Sequence, residues 1–305
     1  MVSDVKIRTF RWDDLERYTY LFNEINGITT SEKAFDVEFM RQILSQPSCE
    51  PEKNCFLVET QGVVVGFTLL ALEPPIDRAV ASGGVLEAYR NQGIGHKLLT
   101  AALEHARASG VSLMHVEAST EGTAAHHILG SEGFYEVKRF WQMRWEGDQL
   151  PPVGVPNGFT IRAFKLDQDE ETLTNLQNTA FGQNWGFSPN TVEQISARVR
   201  LDRSNPEGII FIVDGDRVSG YNWTLRSFNE TNSTGWVAMT GVHPDYRGKG
   251  LGTSVVLAGM EYLKSKGVDG IELEVDSEND PARELYLKLG YQKIGQTVWF
   301  EKRLK

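Results

Sequence analysis

Cysteine is almost missing from this chain. Cys49 and Cys55 are the only two in 305 residues, and their spacing suits neither a C-x-x-C redox pair nor a zinc ligand set. Both are expected to be idle or buried thiols, and no metal is expected. No run of about 18 apolar residues occurs, so a helical membrane span is not expected. The opening stretch MVSDVKIRTFRWDDLERY is charged throughout, which is unlike a secretory leader. These absences make a cytoplasmic protein the expectation. An excess of positive charge is lacking too: 31 Lys and Arg stand against 41 Asp and Glu, a formal net charge of -10. That balance opposes binding to a phosphate backbone, so no nucleic-acid partner is expected, whereas an amine-bearing acceptor is tolerated better. The nucleotide-binding patterns G-x-G-x-x-G and G-x-x-x-x-G-K-[ST] are absent as well.

What is present is ordinary globular material, 40% hydrophobic and 24% charged, at a length that suits about two domains of roughly 150 residues. An internal repeat settles how they are arranged. VASGGVLEAYRNQGIG (80–95) falls on VAMTGVHPDYRGKGLG (237–252), an offset of 157 (237 minus 80), with Gly84, Val85, Tyr89, Arg90, Gly93 and Gly95 matched. The same offset pairs Glu117 with Glu274, Ala125 with Ala282 and Gly133 with Gly290. Earlier in each half the offset is 154, pairing Ile7, Arg8 and Phe10 with Ile161, Arg162 and Phe164, and Gly66 with Gly220. Between the halves, DQLPPVGVPNG (148–158) holds three prolines and two glycines and reads as a linker. The expected domains are therefore 1–147 and 159–305.

Each half reads as a short strand, a helical region and a hairpin, the second hairpin turning at Asp214 to Asp216. An apolar strand then ends at Val85 or Val242 and runs into a glycine-rich turn and a helix. In the second half Leu251, Val255, Ala258 and Tyr262 share a helical face, and Gly267 ends that helix. IELEVD (271–276) alternates as a strand, and Asp280 as N-cap with Pro281 opens a second helix closed by Gly290. Two mixed α/β domains result, each a mostly antiparallel sheet flanked by helices.

The chemistry centres on RGKGLG, Arg247 to Gly252, repeated as RNQGIG, Arg90 to Gly95. Glycines there let backbone approach a ligand, and the amides that open the following helix suit an anion such as a pyrophosphate. Arg247 and Lys249 add positive charge. Taken alone, such a turn is more often a tight strand-to-helix connection. Here R-x-x-G-x-G follows a strand ending in GV, and LEVDSENDPARELYLKLGY (273–291) spaces Asn279, Ala282, Tyr286 and Gly290 behind it. Together these resemble the GNAT acetyltransferases, in two tandem copies covering nearly the whole chain.

The resemblance implies acetyl-CoA as cosubstrate, held by the amides around Thr240, Gly241 and Val242 and by the loop Arg247, Gly248, Lys249, Gly250, Leu251 and Gly252. It implies that Asn279 hydrogen-bonds the pantetheine arm and that Tyr286 protonates the leaving thiolate. Tyrosine near 10 and thiol near 8.5 make that transfer reasonable. Glu274 is the first candidate for the base that deprotonates the acceptor amine, since its spacing to Tyr286 is similar to the base and acid pair of ribosomal-protein N-terminal acetyltransferases. The alternative is a solvated acidic strand face of Glu272, Glu274 and Asp276. Whole-chain layout, FGQNWGF (181–187) and GYNWT (220–224) resemble the mycothiol synthase branch, although the position of that branch's basic glutamate falls on Trp236. Trp185, Trp223 and Trp236 are candidates to line an acceptor pocket, or else are core.

In the first half Leu129 stands where Tyr286 would, and Gly122 where Asn279 would, while Val85, Arg90, Asn91, Gly93 and Gly95 keep the loop. That half is expected to be a degenerate domain able to hold CoA without turning it over. The functional expectation is transfer of acetyl from acetyl-CoA to a primary amine of a small molecule by direct attack. Alternatives are acetylation of a protein or peptide N-terminus, and a CoA-binding regulator without turnover. A monomer or weak homodimer is expected.

Overall fold

A computed structural model of the chain describes residues 5–28, 34–226 and 233–305; residues 1–4 of the stretch read for a leader lie outside these. In the first half, β1 (Val5–Thr9) is followed by α1 (Leu15–Ile25), α2 (Val37–Leu44), the single turn α3 (Pro51–Asn54), β2 (Cys55–Thr60), β3 (Val63–Glu73) and β4 (Arg78–Val85). Then come α4 (Ile94–Ala108), β5 (Leu113–Ser119), α5 (Thr123–Ser131) and β6 (Tyr135–Trp145). The second half repeats the order with β7 (Phe159–Ala163), α6 (Glu170–Phe181), α7 (Val192–Arg198), β8 (Ser204–Asp214), β9 (Arg217–Arg226) and β10 (Thr234–Val242). It closes with α8 (Leu251–Ser265), β11 (Gly270–Asp276), α9 (Asp280–Lys288) and β12 (Gln292–Arg303).

Local chemistry explains most of these boundaries. The β8–β9 turn puts Gly215 at φ 56, and the matching β2–β3 turn puts Gln61 and Gly62 at φ 52 and 76. Gly267 and Gly290, just past α8 and α9, lie at φ 79 and 91, the left-handed conformation that ends a helix without a Cβ penalty. The N-cap of α9 is Asn279 rather than Asp280, because its Oδ1 accepts the Ala282 amide at 3.2 Å.

Two compact units form, and their limits differ from the expected 1–147 and 159–305. One is Met1–Arg139 with Gln296–Lys305, and the other is Phe140–Gly295. The first unit's sheet runs β1-β2-β3-β4-β5-β12, with residues Thr297 to Arg303 of β12 antiparallel to Ser119 to Leu113 of β5. The second runs β7-β8-β9-β10-β11-β6, with Phe140 to Trp145 of β6 antiparallel to Asp276 to Ile271 of β11. Thus each half of the sequence gives its last strand to the other unit. Val298 and Phe300 are buried in the first core, and Met143 and Trp145 in the second. Nor is 148–158 a free linker: Leu150 and Val153 pack on the second core, and the Gly154 carbonyl accepts from Ser254 Oγ at 2.6 Å.

Within each sheet only one neighbouring pair is parallel, β4–β5 and β10–β11. In the second unit, strand alternation on β8 sends Ile209, Phe211 and Val213 to one face, against Leu173 and Leu176 of α6 and Ile195 of α7. Ile212 goes to the other, against Leu251 and Val255 of α8. Among the described residues, no helix is long and apolar enough to cross a membrane.

Candidate active site

The site of the second unit begins where two strands part. β10 and β11 pair only from Thr234–Gly270 to Trp236–Glu272, yet β10 continues to Val242 and β11 to Asp276. A shift in the β10–β9 register between Val237 and Met239 turns β10 away at that point. The side of β10 facing β11 is left without a ladder partner over the stretch that holds Thr240, Gly241 and Val242. In the first unit β4 and β5 also part after Ala81–Val116, there with an unbroken β3–β4 register.

Beyond β10 lies the glycine turn. Gly248 and Gly250 sit at φ 78 and 80, and Gly250 is the N-cap of α8, with no side chain capping the helix. The first-turn amides of α8 are therefore free of internal partners and face the loop, a backbone arrangement that suits a pyrophosphate. In the first unit Asn91 and Gly93 take the same conformations, φ 60 and 78, before α4. The loop shape is thus present twice.

Arg247 plays another part than the one its charge suggests. Its Nε donates to the Val242 carbonyl at 3.2 Å and its Nη2 to the Ala180 carbonyl at 2.7 Å, which ties the loop to the ends of β10 and α6. Arg90 makes the first of these bonds in the other unit, Nε to Val85 O at 3.0 Å. Lys249 keeps its ammonium at the loop, 4.8 Å from the centre of the Tyr246 ring.

Tyr286, on α9, is buried at 8% exposure and meets Tyr291 edge to face at 5.6 Å. Burial pushes its phenol above the usual tyrosine value, and the nearby Thr240 side chain pulls the other way. Thr240 Oγ1 in turn accepts from Asn222 Nδ2 at 2.7 Å. Asn279 uses its Oδ1 to cap α9, which leaves its NH2 group as the donor for a ligand. Glu274 is exposed and accepts from Gln142 Nε2 at 3.1 Å. It alternates with Leu273 and Val275, which pack in the cluster that holds Tyr286, so the two candidate catalytic groups start from opposite faces of β11. Arg144 of β6 pairs with neighbouring Glu272 at 2.6 Å.

The tryptophans divide. Trp223 is core, buried with its Nε1 donating to Ser204 Oγ at 3.0 Å, and so does not line a pocket. Trp185 is half-buried beside Phe140 at 6.4 Å, and Trp236 stands at the last paired position of β10. Sequence reasoning missed Gln142, Arg144 and Asn222. The first two come from the other half of the sequence; the third lay inside GYNWT, where the 154 offset sets it against Thr68.

Parted parallel strands, a glycine turn that opens a helix and a buried tyrosine stand together in the second unit. The acetyltransferase (GNAT) family model matches residues 12–134 and 170–291. Mycothiol acetyltransferase of Pseudarthrobacter chlorophenolicus is 32% identical over 250 residues, 78% of this chain and 74% of that protein. That of Actinosynnema mirum is 32% identical over 240 residues, 78% and 80% of the two chains. Among solved structures, a GCN5-related N-acetyltransferase from Sphaerobacter thermophilus superposes with a TM-score of 0.77 at 21% identity, covering 100% and 98%. A tandem GNAT protein from the clavulanic acid biosynthesis pathway gives 0.77 at 18%, covering 99% of each chain. The chain belongs to the GNAT acetyltransferase family and consists of two GNAT domains in tandem. It is an acetyltransferase, and acetyl-CoA is the family's acetyl donor.

Proposed function

We propose that the second unit moves the acetyl group of acetyl-CoA onto the primary amine of a small molecule by direct attack. The observation that carries this reading is the buried Tyr286 on α9, the helix that follows β11, with Leu129 in its place in the first unit. Amides from Arg247 to Gly252, together with Lys249, hold the pyrophosphate; the free side of β10 at Thr240, Gly241 and Val242 and the Asn279 amide hold the pantetheine arm. The amine nitrogen attacks the thioester carbonyl, the C–S bond breaks, and the sulfur takes the Tyr286 proton. Glu274, through a water in the opening between the strands, accepts the proton lost by the amine. A covalent acetyl-enzyme has no cysteine to form on: Cys49 and Cys55 both belong to the first unit, and burial pushes both thiols up. The first unit holds CoA in its own loop, Val85 and Arg90 to Gly95, without turnover.

Because the relatives are mycothiol acetyltransferases, the first acceptor to test is the amine precursor of mycothiol, within a panel that includes simple amines and peptides. Thiol release from acetyl-CoA, with the product identified by mass, is the readout. Amine-dependent release with an N-acetyl product is expected. Release that no amine accelerates, or acetylation of oxygen or sulfur alone, overturns the reading.

A further inference from the structure

We infer that the second unit carries a binding site for a small organic anion, one bearing phosphate or carboxylate groups, at the end of its sheet remote from the glycine turn. A cavity of about 420 Å³ lies there, large enough for a small molecule. Its walls come mainly from the chain between α7 and β8, from the end of β9 and from Tyr262 of α8. The turn Arg247 to Gly252 follows the other end of β10. On β9 the two ends are marked by Gly220, opposite Val242, and Arg226, opposite Gly235. Six residue steps (226 minus 220) separate them, roughly 20 Å at about 3.3 Å per step. The anion therefore binds together with acetyl-CoA and does not compete with it.

A break in the ladder makes the cavity. β8 and β9 pair at Ser204–Leu225 and again at Ile209–Trp223, so Asn205 to Gly208 stand against Thr224 alone and bow out of the strand. Side chains fix the bow. Asn205 Oδ1 accepts the Glu207 amide at 3.0 Å, Thr224 Oγ1 donates to the Gly208 carbonyl at 2.7 Å, and Trp223 Nε1 donates to Ser204 Oγ at 3.0 Å. Gly208 also lets the Tyr262 ring close one side, since a Cβ there would lie 2.6 Å from its Cε1. The first unit is built otherwise. The offsets of 154 and 157 set α3 (Pro51–Asn54) at the bow and His105 at the place of Tyr262. There Pro51 and Asn54 are buried, and Asn54 Oδ1 meets His105 Nε2 at 2.8 Å. One unit fills this place with a helical turn and the other opens it.

The charge of the cavity runs against that of the chain. Among the described residues its lining holds Arg200, Arg203 and Arg226 against one carboxylate, Asp202, in a protein of net charge -10. Arg200 is ion-paired with Asp167 and, at 3.4 Å, with Glu170, while Glu207 on the bow pairs with Lys266 at 3.4 Å. The anion's ligands are then Arg203 and Arg226, brought together by the Arg226 amide donating to the Arg203 carbonyl at 3.2 Å. Arg226 also reaches the Lys266 carbonyl, at 3.5 Å. A guanidinium matches the paired oxygens of phosphate and carboxylate. Ser204 adds a hydroxyl, whose oxygen accepts from Trp223 and whose hydrogen is left to donate.

The test uses the full chain with ¹⁵N-labelled tryptophan. The indole N–H of Trp223, bonded to Ser204 at the cavity wall, is the local reporter, and its NMR signal is assigned by its loss in Trp223→Phe. Inorganic phosphate, succinate and 3-phosphoglycerate are titrated in turn at constant ionic strength set with sodium chloride, with CoA present in excess to fill the glycine turn. At least one of the three should move the Trp223 signal to saturation, and which one does so tells phosphate from carboxylate recognition. Arg226→Gln and Arg203→Gln should each weaken that binding roughly 10-fold or more, the scale of a lost bond to a charged group. Affinity for acetyl-CoA should be unchanged in both. No saturable movement with any of the three anions overturns the site, and so does binding that neither arginine variant weakens.

Discussion

Arg247 spends its donors on the backbone, and that changes what its loss should do. Both of its bonds go to backbone carbonyls, so Arg247→Ala frees the loop from β10 and α6 rather than deleting a phosphate ligand. With the side chain largely exposed, the stability lost should be about 1 kcal/mol, a Tm drop of about 2–4 °C. KM for acetyl-CoA should rise because the amides are no longer held in position. Lys249→Ala should raise the same KM at unchanged Tm, since its side chain touches only an aromatic face. Melting curves with and without acetyl-CoA separate the two; equal Tm for wild type and Arg247→Ala would contradict the tether. At the reacting atoms, Tyr286→Phe should lower kcat by about 10²- to 10⁴-fold, the usual scale of one proton transfer. Glu274→Gln should slow the reaction mainly at low pH, where more of the amine carries the proton a base must remove. A full rate for Glu274→Gln at every pH would shift the base to Asp276 or a water chain.

Among the elements, the C-terminal strand has its own polar anchor. Glu301 of β12 accepts from buried His115 of β5 at 2.9 Å and from the Tyr135 hydroxyl, and His115 in turn faces Arg78, which is ion-paired with Glu73. Burial lowers the His115 pKa below its ordinary 6.5 despite Glu301. Burial pushes Glu301 up, but its hydrogen bonds to Tyr135 and His115 outweigh that, and it ends below its ordinary 4.5. For both groups the unfolded chain binds the proton more readily. Stability is therefore complete above about pH 6.5, falls as His115 becomes easier to protonate in the unfolded chain, and falls again below about 4.5. His115→Gln should be less stable than wild type at pH 8 yet lose less Tm on going to pH 5.5. An unchanged difference between the two pH values would exclude His115 as the source.

The same elements show what a sequence can and cannot disclose. The hairpin turn at Gly215 and the helix-ending Gly267 and Gly290 were legible because a left-handed backbone is a local demand that glycine meets. The loop at Arg247 to Gly252 was legible because the chain states it twice. The direction of the Arg247 side chain was not, since Ala180 lies far off in sequence. Asn222 escaped for a similar reason: its partner Thr240 is set by strand register. The exchange of β6 and β12 left no trace in the repeat, because matched residues say nothing of which strand each one pairs with.

At the scale of the whole molecule, that exchange decides which piece of the chain is a folding unit. A fragment cut at the apparent linker, 159–305, loses Phe140 to Trp145. It thereby strips the ladder from one side of β11, removes Met143 and Trp145 from the core, and takes Gln142 and Arg144 from Glu274 and Glu272. Burial of the two apolar side chains alone contributes about 1.5–3 kcal/mol each, and the orphaned strand backbone adds to the loss, against a total stability on the order of 5–15 kcal/mol for a domain. The same fragment also keeps Val298 and Phe300, whose place is in the first unit's core. Fragment 140–295 has none of these defects. It should melt cooperatively by circular dichroism, stay monomeric in sedimentation and bind acetyl-CoA, whereas 159–305 should show a broad transition and aggregate. If 159–305 melts as sharply as 140–295 and binds acetyl-CoA equally well, the strand from the first half is not part of the catalytic unit's stability, and the division of the chain at its proline-rich segment would be the physical one.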